Sequence, residues 1–386
     1  MRQGNEQVKK TAEFIRTGVT AGLLNGGVGG TRERATGAIH EKYARSVWIK
    51  VFFLAGLAAL LVIASGVIVT LGQVPMTVPE VYCTVVNKCI PGYFDVNPLV
   101  EHVVMHIRLP LVAGAIIAGT GLGICGCVMQ AVLKNPMASP FTLGISSGAH
   151  FGVSLAAVSG IVIVHGPYFL VGNAFVCALL CSGCIIAISV LRGATSETMI
   201  LAGIAVNFLF QGAIQILNYI ATEEQRTVMS FWGMGSLASL NWNSVLFLGI
   251  LSVLCIPLLS MKAWDLNLMT VGDESAKSMG VNADHTRIFV MVVASLLVAS
   301  IVAFIGVIGF VGLIGPHIGR MIIGNNHRYL IPAAGGIGGA LLLVANALSM
   351  NLLRSVVIPP GLVMSMLGIP MFLYLILRNK RREYWS

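Results

Sequence analysis

Ten stretches of mostly apolar residues limit what this chain can fold into. They cover, to within a few residues, 47–72, 103–133, 141–161, 168–191, 197–220, 242–261, 286–306, 308–323, 330–353 and 360–377. About 20 apolar residues of helix cross the hydrocarbon core of a bilayer. In lipid each backbone N–H and C=O needs a partner, and a helix supplies them all within one segment. Only 10% of the residues are charged, against about 25% in soluble chains. The sequence therefore predicts an all-α, polytopic membrane protein with about ten transmembrane helices. The eighth stretch is short and is expected to break at Pro316. No secretory signal peptide is expected, since residues 1–46 lack a short apolar core with a cleavage site.

Charge orients the helices. With the N-terminus inside, twenty Lys and Arg fall on inner segments, and only Lys88, Arg108, Arg226 and Arg354 fall outside. This is the asymmetry of the positive-inside rule. It favours an even number of spans with both termini cytoplasmic. The net charge of +9 then reflects topology, and nucleic-acid binding is not expected.

Residues 1–46 form a basic N-terminal extension, broken in two by Gly26–Gly30. Val8–Leu24 could form a weakly amphipathic helix or a tail. The transmembrane body runs over 47–378, and 379–386 is a basic tail. Outer loops are expected at 73–102 and 221–241, with Trp232 and Trp242 in an interfacial belt. Six cysteines sit inside apolar runs as small packing residues. Cys83 and Cys89 lie in the first outer loop. In an oxidising compartment they could pair as a disulfide, or stay free. No cysteine spacing suggests zinc, and no metal site is expected.

The longest inner loop, 262–285, reads as two short helices. Asp265 and Asp273 would cap them, and Gly272 and Gly280 would end them. Such a pair could lie on the membrane surface or dock a cytoplasmic partner.

No Asp or Glu lies in the middle of a span. Ion-coupled carriers use buried carboxylates for the coupling ion, and acid–base enzymes need a proton-transferring pair. Neither class is supported. The chain has no G-x-x-x-x-G-K-[ST] loop, so energy for active transport would come from another subunit.

Asn207, Gln211, Gln215 and Asn218 share one face of the fifth span by their spacing. Amides are costly to expose to lipid. The stripe either bonds neighbouring helices or lines an uncharged translocation path, and its length favours the path. Gly119 and Gly123 form a GxxxG suited to close helix packing. His102 and His106, one turn apart beside Glu101, suit an interfacial pair better than a metal or haem ligand set. His317 is expected to serve packing or a hinge.

In the stretch 108–152, two small-residue helices flank the turn Asn135-Pro136-Met137-Ala138-Ser139-Pro140. Its two prolines fix φ and remove two backbone donors, so neither helix runs through it.

Six stretches together resemble one family, the permeases of ATP-driven importers for iron-siderophores, haem and cobalamin. They are Arg108-Leu109-Pro110 with Gln130, Asn135–Pro140 and 143–149; 196–207; 231–237; 271–281; 306–320 with His327-Arg328 and Pro332; and 359–376. They occur in the family's order across about 47–378. The resemblance implies a type II ABC importer-like fold, a homodimer or pseudo-dimer of ten-helix subunits with the pathway on the dimer axis. It implies two ATPase subunits holding ATP and Mg, with no cofactor in this chain, and an extracytoplasmic substrate-binding protein. The expected setting is a bacterial or archaeal cytoplasmic (inner) membrane, in contact with lipid. Asp273, Glu274, Ser275, Ala276, Lys277 and Gly280 match the segment that couples to the ATPase. Asn135, Pro136, Met137, Ser139 and Pro140 would form the gate loop.

The match has departures. Leu111 stands where the family often carries a second arginine. Asn346 and Met350 replace an outer Asp and Arg, and Val357 replaces an acidic residue. Arg108 and Arg354 are left as the expected docking charges for the binding protein. The expected cargo is a large metal chelate, an iron-siderophore foremost and haem or cobalamin next. The competing expectation is a stand-alone channel or ion-coupled secondary transporter.

Overall fold

The computed structural model describes residues 28–72, 74, 76–90, 92–353 and 356–378. The stretch Val8–Leu24, the docking candidate Arg354 and the tail 379–386 lie outside the described residues. Two compact units divide the chain, Met1–Ala55 and Gly56–Ser386. In the first unit the described residues are helical, the beginning of α1 (Val28–Thr70). Gly29 and Gly30 lie in its first turn, and Gly26 and Gly27, the rest of the expected break, lie outside the described residues. Trp48 and Phe52, one turn apart and both exposed, place their rings 6.0 Å apart on this helix.

The second unit continues α1 and adds α2 (Val78–Cys89), α3 (Pro98–Val103), α4 (Leu109–Val132), α5 (Ile145–Ser159), α6 (Phe169–Leu191), α7 (Ser196–Ile220) and α8 (Glu223–Gly233). It goes on through α9 (Trp242–Met261), α10 (Ala263–Met269), α11 (Asp273–Ser278), α12 (Ala283–Ile305), α13 (Val311–Ile323), α14 (His327–Asn351) and α15 (Pro360–Arg378). Every one of the ten apolar stretches is helical. Among the described residues, seven helices are long and apolar enough to cross a bilayer. The other three stretches form the shorter helices α5, α13 and α15.

Both expected outer loops contain helices. Thr77 caps α2 in a capping box with Glu80, and Thr222 caps α8 in a box with Gln225. The T-x-x-E and T-x-x-Q patterns that build these boxes stand in the sequence. Of the two alternatives left open for Cys83 and Cys89, the helix excludes pairing. Both residues lie on α2, and six residues of helix rise about 9 Å and turn far past one face. Disulfide Cα atoms lie within about 7 Å, and Cys83 is a free thiol. Trp232 is no belt residue either. It packs inside, its ring 5.6 Å from that of His150. His102 and His106 stack on one another at 5.0 Å.

A π-helical turn, Val104–Arg108, joins α3 to α4. Its wider winding leaves the Met105 carbonyl without its α-helical donor, and the Trp242 indole takes it up at 2.7 Å.

The core is organised around α4, α12 and α14. Glycine lets α4 touch its neighbours backbone to backbone. A Cβ on Gly119 would lie 2.4 Å from the Gly338 oxygen, and one on Gly123 would lie 2.2 Å from that of Ala334. The GxxxG of α4 is thus a packing seam against α14, as its spacing predicts.

Pro316 does not break the eighth stretch, which turns helical only at Val311 and carries the proline inside α13. Proline removes one helical hydrogen bond, to the carbonyl four residues back. That carbonyl is Gly312's. It receives the Gln130 side-chain amide at 3.4 Å, and a Cβ on Gly126 would meet it at 1.9 Å.

Candidate gate and coupling site

The connection between α4 and α5 holds itself rigid by local hydrogen bonds. Lys134 leaves α4 with φ +49°. Asn135 accepts the Met137 amide on Oδ1 at 2.8 Å and the Ala138 amide on its carbonyl at 3.0 Å. Such an Asx turn suits the asparagine before proline. Ser139 and Thr142 then close the loop reciprocally: the Ser139 amide donates to Thr142 Oγ1 at 2.9 Å, and the Thr142 amide to Ser139 Oγ at 3.1 Å. Pro140 is buried against the start of α13, while Pro136 and Met137 are exposed.

The amide stripe on α7 divides. Asn207 Oδ1 accepts the Ser147 hydroxyl at 2.5 Å, and Gln211 Nε2 donates to Ser147 Oγ at 3.2 Å. This half joins α7 to α5 just beyond the turn. Gly144 permits the approach, because its Cβ would meet the Asn207 backbone at 3.1 Å. Gln215 and Asn218 lie on exposed positions of the same face.

Residues 262–285 fold into α10 and α11, as their sequence predicts, but neither aspartate caps a helix. Asp265 lies in the first turn of α10. Its Oδ2 accepts Lys262 Nζ at 2.9 Å and the Thr286 hydroxyl at 3.4 Å. Asn267, on the same helix, accepts the His327 amide at 2.8 Å. These bonds fasten α10 to α12 and α14.

Asp273 opens α11 and faces two cations. One oxygen lies 2.9 Å from Lys134 Nζ and the other 2.9 Å from Arg287 Nη2. Burial alone would raise the Asp273 carboxyl. The Lys134 ammonium 2.9 Å away and the charge of Arg287 outweigh it and hold the group below its ordinary value.

Arg287 is 0% exposed. Besides Asp273 it bonds the Val132 carbonyl at 3.0 Å, the Ala194 carbonyl at 2.7 Å and Asp284 at 3.0 Å. Four separate segments thus meet one guanidinium: the end of α4, the approach to α7, α11 and α12 itself. The Ser196 hydroxyl adds a second donor to the Val132 carbonyl at 3.3 Å. By sequence Arg287 counts only as an inner charge. An arginine in the first turn of an apolar span, one turn after Asp284, was the available signal.

The matched coupling residues play unlike parts. Ala276 is fully buried and anchors α11, while Glu274, Lys277 and Gly280 are exposed. Gly280, with φ +86°, ends the segment as expected. Met261, Trp264, Val271 and Met279 also stand exposed around the two helices. A groove of ≈ 340 Å³ runs beside them, lined by Asp273, Glu274, Lys277 and Asp284 among others.

Arg108 departs from its expected place. It is 5% exposed, and it donates to the Val69 carbonyl at 2.9 Å and the Val74 carbonyl at 2.8 Å. It closes the end of α1 and is not presented at a surface, as docking would require.

Spans packed through glycine, a self-bonded turn between two of them and an ordered helix pair fastened to that turn are the build of a multi-pass membrane transport subunit. The sequence profile of the FecCD transport family matches residues 57–378. The chain belongs to that family, and is a transport permease of the ABC importer class working within a transporter complex. It is 38% identical to the hemin transport system permease of Yersinia pestis, over 74% of this chain and 86% of the relative. It is 32% identical to the molybdate import permease of Haemophilus influenzae, over 84% of this chain and 95% of the relative. A solved structure described as an inward-facing ABC transporter of the metal-chelate type aligns with TM-score 0.74 and 30% identity. The alignment covers 84% of this chain and 99% of that one.

Proposed function

We propose that this permease imports a large metal chelate, an iron-siderophore foremost and haem or cobalamin next, driven by ATP hydrolysis on separate subunits. Two copies would enclose the path, two ATPases would dock on 262–285, and a binding protein would deliver cargo at the opposite face. The setting would be a bacterial or archaeal cytoplasmic membrane, with both termini cytoplasmic.

The observation that carries this reading is the surface of α10 and α11. Trp264, Val271 and Met279 are exposed there beside Glu274 and Lys277. Exposed apolar groups rimmed by charge mark a protein–protein contact. The chain has no P-loop of its own, so an ATPase is the partner that an importer needs at that contact. Relatives that carry hemin, Fe(3+)-citrate and cobalamin support a chelate as cargo. The molybdate relative adds an oxyanion to the panel to be tested.

The experiment is uptake into liposomes of the permease copurified with its ATPase and binding protein, offered haemin, ferrichrome, cyanocobalamin and molybdate. ATP-dependent uptake of one chelate is the expected result. Gradient-driven uptake by the permease alone would replace this reading with a channel or ion-coupled carrier.

A further inference from the structure

We propose that Asp273 is the positioning residue through which movement of α11 reaches the gate loop. Its carboxylate holds Lys134 with one oxygen and Arg287 with the other. The inference rests on the reading that 262–285 receives an ATPase.

The two cations are not equivalent. Arg287 is a fixed post: apart from Asp273 it keeps two backbone carbonyls and Asp284. Losing Asp273 would therefore not strand a buried charge, the outcome that makes most broken buried pairs costly. Lys134 is the movable partner. It is partly exposed, it sits on a flexible stem, and its backbone directly precedes the gate loop. A shift of α11 can release Asp273 from Arg287 while Lys134 follows it. Through Lys134 the shift reaches Asn135 and the rigid turn behind it. The turn has its own closed set of hydrogen bonds, so it would respond as one piece. Nothing else among the described hydrogen bonds and ion pairs joins α11 to the turn.

A merely structural pair would hold α11 in place without passing anything on, and hydrogen exchange separates the two roles. The complex with its ATPase would be compared with and without MgATP and orthovanadate, as wild type, Asp273→Asn, Lys134→Gln and Lys134→Arg. In the wild type, nucleotide is expected to change exchange in both 263–280 and 134–144. In Asp273→Asn and Lys134→Gln the change in 263–280 stays, and that in 134–144 shrinks about threefold or more, the scale of one partly exposed ion pair. Lys134→Arg keeps it. If both regions still respond together in the two uncharged variants, the inference is overturned. If 263–280 is insensitive to nucleotide in the wild type, the ATP-driven reading itself fails. Should Asp273→Asn not assemble, Lys134→Gln decides alone.

Discussion

Arg287 and Asp273 meet at 2.9 Å with opposite exposures: the guanidinium is sealed from solvent, while the carboxylate is 43% exposed. The cation belongs to the core and the anion to the surface, so substitutions at the two positions should differ in kind.

Arg287→Ala removes the buried cation and leaves the Ala194 carbonyl without this donor, while Ser196 still serves Val132 and Lys134 still faces Asp273. The expected loss is about 1–3 kcal/mol, the range for leaving a buried polar group unsatisfied. Arg287→Lys keeps the charge without the planar fork that reaches four acceptors, and should fall between alanine and wild type. Thermal unfolding of the detergent-purified permease ranks the three.

Acid should loosen α11. The Asp273 carboxyl is held below its ordinary value of 3.8, so the folded state binds this proton more weakly than the unfolded state does. The stabilisation is fully present above about pH 4 to 5 and fades as pH falls through the lowered folded value. Lys134, Arg287 and Asp284 surround the group. The stability gap between wild type and Asp273→Asn, followed against pH, should close only on the acid side.

Substituting glycine should cost what its neighbours dictate. In Gly126→Ala the new methyl would lie 1.9 Å from the Gly312 oxygen, which is backbone and cannot step aside. A loss of about 1–3 kcal/mol or more is expected. At Gly183 nothing lies within 4 Å, and Gly183→Ala should stay within about 1 kcal/mol of wild type. Melting temperatures of the two variants test the contrast.

Arg108→Ala should free the end of α1. Two charge-assisted hydrogen bonds to the Val69 and Val74 carbonyls are lost, for about 2–3 kcal/mol. Hydrogen exchange around residues 67–76 should rise. Unchanged exchange combined with weakened binding-protein affinity would restore the docking role expected from the sequence.

The amide stripe should separate stability from transport. Asn207→Ala breaks the α5–α7 bond through Ser147 and should lower the melting temperature. Gln215→Leu, at an exposed position, should leave melting unchanged and reduce uptake. Uptake equal to wild type in Gln211→Leu/Gln215→Leu would remove the stripe from the path.

The helices were legible because apolar length and glycine spacing are local signals, and Gly119 and Gly123 point to their seam with no knowledge of the partner. The turn at Asn135–Pro140 was legible too, since its restraints come from its own side chains. Asp265 and Asp273 misled. A capping rule looks three residues ahead, whereas Asp265 turns back to Lys262 and across to Thr286, and Asp273 meets Lys134 and Arg287 from elsewhere in the chain. Arg108 misled for a related reason. Charge counting gives a side of the membrane but not a direction for the side chain, and here the side chain turns inward to satisfy carbonyls.

The seam between α4 and α14 has a mechanical meaning. Where Gly119 and Gly123 meet Gly338 and Ala334, the contact is largely backbone against backbone. There are few rotamers to switch there and little spare volume to redistribute. Such a joint has a single fit, so in the proposed importer the two helices would travel as one plate, and alternation of access would be carried by contacts that can be exchanged. The side-chain hydroxyl and amides between α5 and α7 are of that kind: each can trade its partner for water or for another amide as the helices slide.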